Sequence, residues 1–123
     1  MGHVIKHPIG TFKIYNNYLI VIINDGVTVT KESNKILEDL VQEYYSKKKF
    51  VYITHRVNSY AVDPVVYSKT SQIKNLVGFA VVANTRLALN NTEIEKLFLK
   101  KPFESFRNLN DAINWAQSIL EIE

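Results

Sequence analysis

Cysteine is absent from this chain of 123 residues. Its absence excludes disulfides, thiolate catalysis and cysteine-based zinc sites, and it is consistent with a reducing compartment. The chain has only four glycines, and none belongs to a Gly-x-x-x-x-Gly-Lys phosphate loop. Long apolar runs are also missing, because the longest, YLIVII at 18–23, is far too short to span a bilayer. These absences predict no membrane span and no nucleotide loop.

A strong excess of one charge is missing as well. The 15 basic residues face 12 acidic ones, for a net charge of +3, and the lysine run at 47–49 is typical of a solvated helix end. No basic stripe with interleaved aromatic residues is present, so we predict no nucleic-acid partner. The start, MGHVIKHPIG, lacks the apolar segment of a secretory signal, and we therefore expect a cytoplasmic protein.

The composition that remains, 46% hydrophobic and 22% charged, is typical of one globular domain. The strand-like runs TFKIY and YLIVII flank Asn16-Asn17, a pair that tolerates a tight hairpin turn. Thr30 is the expected N-cap of a helix that follows. The apolar positions of this helix recur at helical spacing and comprise Ile36, Leu37, Leu40, Val41, Tyr44 and Tyr45.

The second half of the chain alternates strand and helix patterns. FVYIT, LVGFAVVA and FESF are typical of strands, whereas Asp63-Pro64 predicts the start of a helix that runs to about Lys74. NTRLALNNTEIEKLFLKK at 84–101 is mostly helical in pattern. Thr92 and Glu95 fit a capping box for a helix that starts at Glu93, and the alternative is one longer helix from about Thr85. Asn108 is the expected cap of the last helix.

The order β-β-α-β-α-β-α-β-α predicts a single α/β domain over residues 1–123. Its sheet should be mainly parallel with an N-terminal hairpin, flanked by about four helices. The predicted core comprises Leu19, Val21, Ile23, Leu37, Leu40, Val51, Ile53, Phe79, Val81, Ile113 and Ala116.

The ending KPFESFRNLNDAINWAQSIL resembles the SpoIIAA-like group of the STAS superfamily. Members of that group often end in a short strand, a Phe, a capping Asn or Asp, and an Ala-x-x-Trp helix. The matching positions here are Phe106, Asn108, Ala112 and Trp115. The resemblance implies a STAS domain, with signalling by protein contact or, in CRAL-TRIO-like members, binding of an apolar ligand.

The resemblance also directs attention to the loop THRVNSYAVDP at 54–64. Anti-sigma-factor antagonists carry a phosphorylatable serine at this place, in an Asp-Ser-Ser/Thr-Gly motif at a helix start. Ser59 is present, but no Asp precedes it, no Gly follows it, and the predicted helix begins only near Pro64. The usual phosphorylatable-serine motif is therefore absent, and whether Ser59 is ever phosphorylated stays open.

Catalytic and metal sites find little support in the sequence. His55, Ser59 and Asp63 are four residues apart, but they lie on a strand end and a loop, where that spacing does not bring side chains together. His3 and His7 stand at an end that we expect to fray, remote from His55 in sequence. We predict no enzyme activity, no cofactor and no metal.

Ligands of open α/β sheets bind beyond the carboxyl ends of the parallel strands, where the loops after FVYI and LVGFAVVA should meet. This edge is the predicted contact site, formed by His55, Arg56, Asn58, Ser59, Tyr60, Asn84 and Arg86. Arg56 and Tyr60 are expected to be free for a partner, since both types are enriched at interface hot spots.

The sequence thus predicts a non-catalytic STAS-like regulatory module that binds another protein. The alternative is a small-molecule or lipid-binding domain of the same fold, with an apolar ligand between the sheet and the helices. Exposed Tyr and Phe residues leave a homodimer open as well.

Overall fold

The computed structural model describes residues 2–58, 60–85 and 95–122. The strands are β1 (His3–His7), β2 (Gly10–Ile14), β3 (Tyr18–Ile23), β4 (Thr28–Val29), β5 (Phe50–His55), β6 (Ala61–Val62), β7 (Leu76–Val82) and β8 (Phe103–Phe106). The helices are α1 (Lys35–Tyr44), α2 (Val65–Ser71) and α3 (Leu109–Ile122).

Six strands form the main sheet in the order β1-β2-β3-β5-β7-β8. The pairs β1–β2 and β2–β3 are antiparallel, whereas β3–β5, β5–β7 and β7–β8 are parallel. The predicted α/β architecture, with a hairpin leading into parallel strands, is therefore confirmed. The short strands β4 and β6 pair in parallel as a separate ribbon, which the sequence did not predict.

Helices cover both faces of the sheet, because the strands alternate their side chains between two apolar layers. On β3, Leu19 and Val21 point to the layer that holds Leu37 of α1 and Val66 of α2. Ile20, between them, belongs to the opposite layer with Ala112 and Ala116 of α3. Continuous apolar runs such as YLIVII are the expected pattern for strands buried on both sides.

The close approach of α3 to the sheet depends on Gly78 of β7. A Cβ atom at this position would lie 3.1 Å from Cη2 of Trp115 and 3.2 Å from Cδ1 of Ile119. Trp115, half-buried, thus packs against a gap that the missing side chain leaves. Gly78 is thus the residue on which Trp115 of the Ala-x-x-Trp helix packs.

Some predicted elements differ from the structure. The described residues contain three α-helices, where about four were predicted, and the third predicted helix, at 85–101, falls largely on residues outside the described ones. His3 and His7 do not lie on a frayed end, since they pair with Ile14 and Gly10 as the ends of an edge strand.

The caps are partly as expected. Thr30 does not cap α1 directly, because the helix begins at Lys35 after Asn34. Thr30 and Ser33 instead exchange hydrogen bonds, with the Thr30 N–H donating to Ser33 Oγ at 2.7 Å. The predicted cap of the last helix is confirmed, since Asn108 Oδ1 accepts from the Asp111 N–H at 2.9 Å.

Two predicted core residues, Leu40 and Ile113, are only half-buried. The other nine predicted core residues are buried. Both still pack against the buried clusters, so periodicity assigned the correct helix faces but made the buried part of each face too wide.

Candidate ligand-binding site

A small apolar cavity lies between the sheet and the helices α1 and α2. Its volume is about 40 Å³, and its walls include Phe12, Leu37, Tyr52, Val66 and Phe79. One water needs about 10–15 Å³ of such volume, so the cavity holds only a few atoms. We call it the inner cavity.

A larger depression adjoins it on the side of the loop that follows β5. This outer groove has a volume of about 300 Å³. The inner cavity and the outer groove share four wall residues, namely Arg56, Tyr60, Val62 and Tyr67. Those side chains therefore form a partition between the two spaces.

The polar side chains of the partition are joined in one network. Arg56 Nη2 lies 2.6 Å from Oε2 of Glu95, and Arg56 Nε donates to the Tyr60 hydroxyl at 3.1 Å. The Tyr60 hydroxyl is also 2.9 Å from Thr54 Oγ1. Tyr67 donates its hydroxyl hydrogen to the same Oε2 of Glu95. Two donors from different elements thus converge on one carboxylate oxygen.

Solvent screens this network only weakly. The side chains of Arg56 and Glu95 are 11% and 12% exposed, and Tyr67 is buried. Burial by itself would lower the pKa of Arg56, but the hydrogen bond to Glu95, followed by electrostatic interactions with Tyr60, Glu95 and Tyr67, outweighs it, so the pKa is raised. Burial and then the Glu95 charge raise the pKa of Tyr67. Arg56 therefore stays charged, and Tyr67 stays a hydrogen-bond donor.

The second oxygen of Glu95, Oε1, has a different environment. It is buried, and it has no hydrogen-bond partner among the described residues. A carboxylate can accept several hydrogen bonds, and a buried acceptor without one costs about 1–3 kcal/mol. The ion pair is thus incompletely satisfied within the described part of the chain.

Neighbouring elements hold the partition in place. Arg56 follows the end of β5, and its N–H donates to Val82 O at 2.8 Å, which extends the pairing with β7. Asn58 Nδ2 donates to Ile23 O at 2.9 Å and ties the loop to β3. The loop then pairs with β4 as β6, before α2 presents Tyr67.

The structure distributes the predicted contact residues over different environments. His55 is half-buried, and burial, followed by the charge of Lys13, lowers its pKa. Asn58 and Asn84 are exposed, whereas Ser59 and Arg86 lie outside the described residues.

The expectation that Arg56 and Tyr60 are free for a partner is wrong. Arg56 pairs with Glu95, and Tyr60 bonds to both Arg56 and Thr54. Both side chains are part of the partition, between β5 and the ribbon strand β6 that leads to α2.

Glu95 and Tyr67 are the members of the network that the sequence did not reveal. The sequence indicates a capping box formed by Thr92 and Glu95, but the Glu95 carboxylate contacts Arg56, 39 positions earlier. Thr92 lies outside the described residues. No local sequence pattern predicts such a long-range contact. The one available signal was Arg56 itself, a cation next to a buried strand that required a partner.

The described residues offer neither a metal cluster nor a membrane span. They contain no group of three or more His, Asp or Glu side chains placed to hold a metal ion. They also contain no helix with the length and hydropathy that crossing a membrane requires.

Comparison with known proteins supports the fold. No family model matches the sequence, and no curated protein matches it either. Among solved structures, the chain is similar to a protein of the DUF3478 family from Shewanella loihica PV-4, described as uncharacterized and as having a SpoIIAA-like fold. The match has a TM-score of 0.59 at 14% sequence identity and covers 94% of this chain and 92% of the other. The chain therefore has a SpoIIAA-like fold, as the resemblance of its C-terminal segment implied.

Proposed function

We propose that this protein is a non-catalytic binding domain of the SpoIIAA-like fold and that it takes a small, largely apolar molecule. The observation that carries the proposal is the partition of Arg56, Tyr60 and Tyr67 between an apolar cavity and an outer groove. Ligand sites are typically concave and apolar with a few convergent polar groups, and this arrangement has those features.

The chemistry of the partition favours recognition over catalysis. Arg56 is charged and Tyr67 is protonated across the physiological range, because their pKa values are raised. Neither group can serve as a general base near neutral pH. Both groups donate hydrogen bonds, and such donors orient a bound molecule.

The size of the two spaces limits the ligand. The inner cavity of about 40 Å³ accommodates only a short apolar end, whereas the groove of about 300 Å³ accommodates the rest. A compact molecule with a short aliphatic or alicyclic part fits these dimensions better than a long lipid chain does.

Hexan-1-ol is a suitable neutral probe, with binding followed by NMR chemical shifts of the methyl groups. We expect chemical-shift changes for methyl groups that line the inner cavity. Val66→Ile should reduce these changes, because the extra methylene occupies the inner cavity and weakens binding. Val82→Ile is the matched control, since Val82 lies in the opposite apolar layer. Equal weakening by both variants, or no wall shifts in the wild-type protein, would count against the pocket.

A second candidate is a protein-interaction module that uses the loop 55–63 and α2. The observation in its favour is the exposure of large apolar side chains beside the partition, with Val57 60% and Val65 46% exposed. His55, Asn58 and Asn84, together with Ser59 and Arg86, would complete that contact edge.

Native mass spectrometry of the purified protein separates the two candidates. A co-purified small molecule favours the pocket. An empty chain that captures a protein partner, and loses it in Val57→Asp with unchanged thermal stability, favours the interaction module.

A further inference from the structure

We propose that the ligand carries a single carboxylate and that Glu95 occupies the carboxylate subsite when no ligand is bound. This inference rests on the proposed small-molecule pocket and adds the chemical class of its ligand. Arg56 and Tyr67 would hold the ligand's carboxylate in place of Glu95, while its apolar part lies in the groove and reaches the inner cavity.

The first support is the arrangement of donors. Arg56 and Tyr67 both contact Oε2 of Glu95, from the end of β5 and from α2. Tyr60 bonds Arg56 Nε and thereby orients the guanidinium plane. A carboxylate already sits at this point, so the subsite is shaped for that group, and charge-assisted bonds of this kind are the strong ones.

The second support is the balance of charge. Among the described residues that line the groove, Arg56 is the one cation and Glu95 the one anion. With Glu95 displaced, a single positive charge remains, which a monoanion neutralises. A phosphate monoester, with about two negative charges at neutral pH, would leave an excess of buried negative charge.

The third support is the incomplete pairing of Glu95. Its Oε1 is buried without a hydrogen-bond partner among the described residues, so Glu95 is an imperfect occupant of the subsite. A ligand carboxylate that is free to adjust its orientation can replace this contact with little net loss. A displaced Glu95 carboxylate regains hydration, which offsets the hydration that the ligand carboxylate loses.

The exchange has a consequence that a purely structural ion pair lacks. Because Glu95 and the ligand compete for the same donors, neutralising Glu95 should strengthen binding of a carboxylate and leave a neutral ligand unaffected. If Glu95 merely supported the pocket wall, its neutralisation would weaken both ligands.

Hexanoate and hexan-1-ol are the matched probes, because they share an apolar chain and differ in the charged group. The quantity compared is the ratio of the dissociation constant of hexan-1-ol to that of hexanoate. In Glu95→Gln we expect this ratio to rise about tenfold or more over the wild-type value, the scale of one charge-assisted hydrogen bond.

Two variants serve as controls. Glu104→Gln makes the same change in net charge at an exposed position of β8, and the ratio should not move. Arg56→Gln combined with Glu95→Gln removes both charges of the pair, and hexanoate should lose its advantage. The double variant leaves no unpaired charge, so it is expected to fold.

A wild-type measurement covers the case in which Glu95→Gln does not fold. Both probes would lie against Arg56 and Tyr67, but hexanoate should shift the Arg56 Nε–H and Tyr67 ring signals in NMR spectra clearly more than hexan-1-ol does. Equal responses to the two probes would overturn the carboxylate subsite but leave the pocket standing. If neither probe binds at about 10 mM, a concentration that detects even weak ligands, the pocket and the subsite both fail.

Discussion

Arg56 and Glu95 form an ion pair of 2.6 Å in which neither side chain is more than 12% exposed. The two residues are 39 positions apart in the chain, so the contact forms only once Glu95 and the loop after β5 have come together in the folded chain. Such a pair is far more sensitive to the loss of one partner than to the loss of both.

The first prediction concerns the energetics of this pair. Arg56→Met should lower the free energy of unfolding by about 3–5 kcal/mol, because it leaves the buried carboxylate of Glu95 without its cation. The double variant Arg56→Met/Glu95→Gln should lose less than the sum of the two single losses. Urea denaturation of the four proteins gives the coupling energy. Additivity within about 0.5 kcal/mol would mean that the two charges do not interact.

The second prediction compares two leucines of the apolar layer beneath α1. Leu19→Ala should cost about 2–5 kcal/mol of unfolding free energy, because Leu19 is fully buried in β3 and its truncation leaves a cavity. Leu40→Ala should cost clearly less, since Leu40 is half-buried on the helix flank. Chemical denaturation measures both losses under one condition. A larger loss for Leu40 would place α1 in a different rotation on the sheet.

The third prediction follows from the lowered pKa of His55. Burial and then the Lys13 charge hold this pKa below the ordinary 6.5, so the unfolded chain binds a proton more readily than the folded chain does. The stability that His55 contributes is therefore complete above about pH 6.5 and is lost as pH falls toward the folded-state pKa.

Two measurements test the sign of this effect. An NMR titration of the His55 ring should give a midpoint below 6.5. As pH falls from about 7.5 to about 5.5, the free energy of unfolding of the wild type should decrease more than that of His55→Gln. A midpoint at or above 6.5 would contradict the burial of this ring.

Local pattern was sufficient for most of the elements. The Asn16-Asn17 turn, the apolar runs of β3, β5 and β7, and the cap at Asn108 each depend on neighbours within a few residues. Backbone preferences and side-chain periodicity act over that same distance, so the sequence alone determined the order of β2, β3, α1, β5, α2, β7, β8 and α3, but not the strands β1, β4 and β6. The tail around Trp115 was enough to indicate the SpoIIAA-like fold.

Tertiary structure alone decided the site. The sequence pointed to Arg56 as a free side chain of the loop, but Arg56 is paired, and its partner Glu95 and the donor Tyr67 come from distant segments. The ribbon of β4 and β6 also depends on a long-range pairing, since two-residue strands carry no pattern of their own. Contacts of this kind are set by how the sheet and α2 pack around a shared cavity. Packing is a property of the whole chain, so neither the direction of Arg56 nor the spaces beside it could be derived from the loop sequence.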